Sequence, residues 1–209
     1  MQHITSFKDG IEKTIGSKIL SAVIFDRDYR SENEVKEEQK DLKNGNHFAH
    51  IHSCKEIENF LLIPESIEKA IQDRIKESNS RTGKATVFDG NIHEILDAIS
   101  NEFKYKCQAQ LQSHRLKYEK SVNPRNDEST ITENILKEFE SQWRDINERL
   151  LIVPGKEFLS ALNTRLQNDY KITITAANII NSLPKIAVPE ELKILIDEIE
   201  NFRKIPLQE

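Results

Sequence analysis

The stretch at residues 18–35, KILSAVIFDRDYRSENEV, decides how the chain folds. Its first half, ILSAVIF at residues 19–25, is a nearly unbroken apolar run. Seven residues are too few for a good helix, and the lack of polar alternation predicts a parallel strand covered on both faces. Its second half carries two acids with an arginine between them, Asp26, Arg27 and Asp28, straight out of that strand. In open α/β sheets ligands bind beyond the carboxyl ends of the strands, so this is the first place to look for a site.

Working outward, Phe7, Ile11 and Ile15 recur at helical spacing before Gly16 and predict a short amphipathic helix ahead of the strand. After it, SENEVKEEQKDLKNGN reads as a solvated helix stopped by Gly45, and HFAHIHS alternates like a second strand. Helix, strand, helix, strand is the cadence of an α/β sheet. The character then changes. PESIEKAIQDRIKES sets Pro64 at a first helical position and Ile67, Ile71 and Ile75 four apart, a helix with one packed face. Residues 92–120 are long, charged and periodic, NPRNDEST breaks them, and a further helix runs through Trp143 to Leu150, which together read as a helical hairpin. RLLIVPGKEFLSALNTRL restores a strand, turn, helix rhythm, and two helices follow, divided by Pro184 and Pro189. The expected organisation is a first core segment at residues 1–88, a helical insertion at 89–148, and a last core strand with C-terminal helices at 149–209.

Composition narrows the class. With 37% hydrophobic and 31% charged residues the chain reads as soluble and helix-rich. Its 30 Lys and Arg against 35 Asp and Glu give a formal net charge of -5, so a polyanion site has to be a local basic patch or a bound cation. Cys54 and Cys107 lack metal-ligand spacing or a disulfide framework and are expected as reduced thiols. No apolar run approaches the roughly 20 residues that span a bilayer, and the opening segment lacks a signal-peptide core, so no membrane is expected and the chain is placed in the cytoplasm.

Three segments carry candidate chemistry. Asp26 and Asp28, two apart in extended chain, point to one side, where two hard oxygen ligands suit Mg²⁺ or Mn²⁺. The plainer account is a solvated turn with an internal ion pair. Glu56 and Glu58 follow the second expected strand, and four acids at one edge repel unless a cation neutralises them. Against this, glutamates that begin a helix are favoured there by its dipole alone. Lys156, after Pro154 and Gly155, would steady a phosphate as a point charge, or is a surface lysine near a helix start. His47, His50 and His52 read as surface or core residues rather than ligands, with His52 nearest the acidic edge. Lys84 in TGKAT lacks the glycine frame of a phosphate loop. Trp143 and the helically spaced phenylalanines are expected in the core.

VIFDRDYR, KEIENFLL and VPGKEFL, in that order, resemble the Toprim domain of OLD-family (overcoming lysogenisation defect) nucleases and related AAA-ATPase-associated bacterial defence proteins, over residues 19–159. The closing helices resemble the tail of such proteins. The resemblance implies a Toprim-like parallel sheet flanked by helices, with a helical insertion and a helical tail. It implies a hydrolase, a Mg²⁺- or Mn²⁺-dependent nuclease of an ATPase-coupled antiviral defence protein. Asp26 and Asp28 match the acids that hold the catalytic cation, Glu58 the later acid with Glu56 beside it, and Lys156 the lysine against the cleaved phosphate. The implied partners are nucleic acid, DNA before RNA, an upstream or separate ATPase domain, and further copies of the chain. One departure from the family is plain: nothing before Ile19 supplies its glutamate-tipped first strand, and no Walker loop is present. A C-terminal piece of a longer protein, or a strand donated by a partner, accounts for both.

Two other readings stay open. A catalytically incomplete Toprim scaffold would keep the fold for contacts alone. Haloacid-dehalogenase phosphatases also place DxD after a first strand, but they need Thr or Val where this chain has Arg30, together with a later pair of acids. A nucleotide-sugar transferase has only the DxD itself in its favour.

Overall fold

The computed structural model describes residues 2–206. Along the chain these form α1 (Gln2–Ile15), β1 (Ala22–Phe25), α2 (Glu32–Gly45), β2 (Phe48–Ile51), a 3-10 turn (Ile57–Leu61), α3 (Pro64–Thr82), α4 (Ile92–Glu102) and α5 (Lys104–Val122). There follow α6 (Glu128–Arg144), α7 (Ile146–Ile152), α8 (Gly155–Tyr170), α9 (Ala176–Ser182), a second 3-10 turn (Lys185–Ala187) and α10 (Glu190–Arg203). The fold is α/β, mostly helical, with a small parallel sheet of two strands among the described residues. Among the described residues no helix is long and apolar enough to cross a membrane.

Contacts divide the chain into two compact units. The first is built from the segment ending at Phe25, Ser31–His52 and the segment beginning at Pro189. In it β1 and β2 pair in parallel, Ala22 opposite Phe48 and Phe25 opposite Ile51, with α2 as the crossover a parallel pair requires. Ser31 starts α2 by accepting the Glu34 N–H at 3.2 Å, and α1 ends at Gly16, whose positive φ of 72° suits the left-handed C-terminal cap. Leu42, Ala49 and Ile51 form the core with Val23, Phe25 and Val35 around them. α10 packs on β2 and buries Leu195. The expectation that β1 is covered on both faces is corrected: Val23 and Phe25 are half-buried, whereas Ala22 and Ile24 are exposed. A sheet of two strands has too little area to seat helices on both sides of β1. Phe7 on α1 is likewise 70% exposed, so the apolar stripe read there is not a buried one.

The second unit comprises Asp26–Arg30 and Ser53–Val188. Pro64 opens α3 at its first turn, and Ile67, Ile71 and Ile75 are all buried, as their spacing predicts. One core runs through this unit, joining Leu96 of α4, Leu111 of α5, Phe139 and Trp143 of α6, and Phe158, Leu162 and Leu166 of α8. Residues 89–148 share their core with α3 and α8. Residues 92–120 split at Phe103, where the N–H of Phe103 turns back to the carbonyl of Ser100 and Cys107 restarts the ladder. The strand expected at 149–153 is helix α7: Asp145 caps it by accepting from the N–H groups of Asn147 and Glu148, and Arg149 is buried against Asp97 at 2.6 Å. An apolar run of four residues satisfies either state, and the cap decides. Cys54 and Cys107 are both buried and outside any disulfide, and burial pushes the Cys107 thiol above its ordinary range.

Ile71 is fully buried at the centre of α3. Ile71→Ala is expected to lower unfolding stability by about 2–5 kcal/mol through lost burial and the cavity it leaves, read as a shift in the urea midpoint.

Candidate functional site

The candidate acids lie in the second unit. Immediately after β1 the chain tightens into a turn organised by Arg30. Its Nη1 donates to the backbone carbonyls of Asp26 and Arg27, each at 3.1 Å, and to Asp28 Oδ2 at 3.1 Å. Asp28 has a φ of 52°, a left-handed conformation that Asp adopts more readily than most residues. The extended i, i+2 geometry expected for the two acids therefore breaks at Asp28, whose carboxylate is held by Arg30. Asp26 behaves differently. Its Oδ1 accepts the Ile57 N–H at 3.0 Å, and the Asp28 N–H donates to the Lys55 carbonyl at 2.9 Å, so DRD lies along the KEIEN segment. Below the turn, Tyr29 is buried, with the Lys55 ammonium 5.1 Å above its ring and Arg115 Nε donating to its carbonyl at 3.2 Å.

KEIEN is in turn locked to VPGKE. Asn59 is buried at 4% exposure. Its Nδ2 donates to the Leu150 carbonyl at 2.6 Å and the Val153 carbonyl at 2.9 Å, and its Oδ1 accepts the Glu56 N–H at 2.8 Å. The Lys55 N–H adds a bond to the Leu151 carbonyl at 2.8 Å. Gly155 is pressed against the same turn: a Cβ there would stand 3.0 Å from Asn59 N and from Glu58 Cβ, which is why the first residue of α8 carries no side chain.

The glutamates divide the work. Both oxygens of Glu56 are engaged, Oε1 by Lys55 Nζ at 2.6 Å and Oε2 by the Lys156 N–H at 3.1 Å in the first turn of α8. Burial alone would raise its carboxyl, but the Lys55 hydrogen bond, the Lys156 N–H and both ammonium charges outweigh it and hold the group below its ordinary range. Glu58 is less satisfied. Its Oε1 lies 3.8 Å from Lys156 Nζ, and its Oε2 is buried without a hydrogen-bond partner. A buried carboxylate oxygen left without a donor marks a place where a ligand or cation would be accepted.

Asp26, Glu56, Glu58 and Lys156 thus meet in one cluster of loop and helix starts, while Asp28 sits beside it on Arg30. No three of the four acids bring ligand atoms within 4.8 Å of one another; among the described residues that condition is met by His50, His52 and Glu191, in the first unit. Lys84 lies in the exposed segment after α3 and joins neither group. Sequence reasoning missed Arg30, Asn59 and Gly155 as positioning residues. The Gly-Lys pair after a proline marked the junction, but nothing in one sequence ties Asn59 to carbonyls more than 90 positions away. No family model, no curated protein and no solved structure matches this chain.

Asn59→Ala orphans two buried carbonyls and an N–H, each costing about 1–3 kcal/mol, and is expected to destabilise the fold measurably in urea. Gly155→Ala is expected to do the same by pushing α8 off the turn. Glu56 predicts a pH dependence. Its folded carboxyl lies below its ordinary value of 4.5, so its stabilisation is complete above that value and is lost as pH falls through the lowered one. Melting temperatures followed downward from pH 5 are expected to fall more steeply for the native chain than for Glu56→Gln.

Proposed function

We propose that this chain is a Toprim-like, divalent-cation-dependent nuclease domain of an ATPase-coupled defence protein, hydrolysing phosphodiester bonds of nucleic acid, DNA before RNA. The observation that carries the reading is the approach of three segments far apart in the chain: Asp26 accepts the N–H of Ile57, next to Glu58, Lys156 lies 3.8 Å from Glu58 Oε1, and Glu58 Oε2 is buried with no hydrogen-bond donor. The three motifs that resemble the family are the segments that come together.

The donors are carboxylate oxygens, the type a hard cation takes, but no three of them lie within 4.8 Å of one another, so a cation would have to draw them together. Asp26 keeps Oδ2 outside its bond to Ile57, Glu58 offers Oε2, and the exposed Asp28 carboxylate can exchange Arg30 for an ion. Asp26, Asp28 and Glu58 would hold Mg²⁺ or Mn²⁺, which take oxygen ligands. Glu56 serves better as the cap of α8, since both of its oxygens are taken. When bound, such a cation supplies an acidified water and neutralises phosphate oxygens. Lys156 has a separate task. Its side chain is 67% exposed and only loosely paired with Glu58, so it is free to turn onto a phosphate oxygen and stabilise the negative charge there. Arg27, whose Nη1 donates to the Ser53 carbonyl at 3.3 Å, adds positive charge beside the acids. These cations offset the repulsion between an acidic protein and an acidic substrate.

A second reading, a Toprim-like scaffold without catalysis, is favoured by the salt bridge between Asp28 and Arg30 and by the fully engaged Glu56. Plasmid and single-stranded DNA incubated with the chain in Mg²⁺ or Mn²⁺ separate the two. Nuclease action predicts cleavage lost on chelation and reduced at least about 100-fold by Asp26→Ala and by Lys156→Ala. Cation-independent cutting, or full activity in either variant, defeats the proposal; no cutting by any form favours the scaffold.

A further inference from the structure

We propose that His50, His52 and Glu191 form a second metal site, selective for a zinc-type ion and unrelated to the acidic cluster. His50 lies in β2 and His52 one residue beyond its end, two apart, so both side chains leave the same face. Glu191 reaches them from the first turn of α10, 141 positions from His50. All three residues belong to the first unit.

Geometry selects the chemistry. His50 Nε2 stands 2.9 Å from Glu191 Oε1, and His52 Nδ1 stands 3.6 Å from the same oxygen. One ligand atom from each of the three lies within 4.8 Å of the others. With bonds of about 2.0–2.1 Å to a tetrahedral Zn²⁺, ligand atoms are spaced about 3.3 Å apart, a value that falls between the two measured separations. The imidazoles do not stack: their centroids are 5.1 Å apart at an interplanar angle of 70°, so they approach a common point from different directions. His52 is 2% exposed and His50 and Glu191 are mostly buried, which limits competition from water.

Two imidazoles and one carboxylate are the donors of a three-ligand zinc centre, with a fourth position left to water. Mg²⁺ and Ca²⁺ prefer all-oxygen sites, so the ions proposed for the acidic cluster are poor competitors here. Bound metal would fasten α10 to β2, against which it packs.

The test uses the full chain stripped of metal, titrated with Zn²⁺ against a chromophoric chelator and with Co²⁺ followed by its visible bands. Expected are a single tight equivalent of Zn²⁺, intense tetrahedral Co²⁺ bands bleached by Zn²⁺ but not by excess Mg²⁺, and a rise in melting temperature with Zn²⁺. Loss of a ligand in His50→Ala or Glu191→Gln is expected to weaken Zn²⁺ by more than about 100-fold, beyond the loss of an outer-shell partner. His93→Ala, on the exposed face of α4, leaves binding unchanged. Native chain that binds Zn²⁺ no more tightly than Glu191→Gln, or that gives only weak octahedral Co²⁺ bands, overturns the site. Should His50→Ala fail to fold, Glu191→Gln decides alone, because it preserves the shape of a partly exposed side chain. DNA cleavage is not read, so failure here leaves the nuclease proposal standing, and the reverse.

Discussion

The candidate site rests on one buried amide. Asn59 answers two carbonyls at the end of α7 and one N–H of its own turn, with little access to solvent. Carbonyls at a helix C-terminus lack intrahelical partners, and burying them unanswered is costly, so a side-chain amide that supplies both donors fixes where the helix ends. α8 must then begin beside Asn59, and Gly155 permits the approach because any side chain would collide with the turn. Lys156 and the two glutamates acquire their relative positions from that chain of constraints rather than from attraction to one another.

Charge is distributed with the same economy. Four acids stand near Lys55, Lys156, Arg27 and Arg30, and each cation restrains a particular oxygen or carbonyl. Glu56 is fully compensated and Asp28 is singly bridged, whereas Glu58 has one buried oxygen with no donor. Compensation that stops short at one atom separates the acid that holds the fold from the acids available to a ligand. It also explains how an acidic cluster persists in a chain of net negative charge: the local balance, not the total, sets the repulsion.

What was legible in the sequence followed from short-range pattern. The parallel pair came from an apolar run followed by an alternating one, and the face of α3 from isoleucines four apart with Pro64 ahead of them. Short-range pattern failed where two states share one signature. RLLIV reads as strand or helix until Asp145 is recognised as a cap, and ILSAVIF reads as doubly covered because hydrophobicity cannot report how many strands will flank it. Asp28 failed for another reason: its left-handed backbone is imposed by Arg30, a residue that composition assigns to the surface. The gathering of Asp26, Glu58 and Lys156 was legible as order of motifs, whereas Asn59 was not, because its partners are carbonyls and carbonyls leave no trace in a sequence.

The histidine cluster shows the same limit from the other side. His50 and His52 display an i, i+2 pattern that any strand imposes, and such pairs are usually explained by packing alone. The proposed third ligand, Glu191, is what separates coordination from packing, and it arrives on a helix that the chain reaches only after completing the whole second unit. Donor type then keeps the two sites chemically apart. One offers carboxylate oxygens that hard ions take, the other imidazole nitrogens with one carboxylate, a combination that hard ions bind poorly and zinc binds well. On the two proposals above, selection by ligand atom rather than by net charge would let one chain hold both kinds of ion without exchange between them.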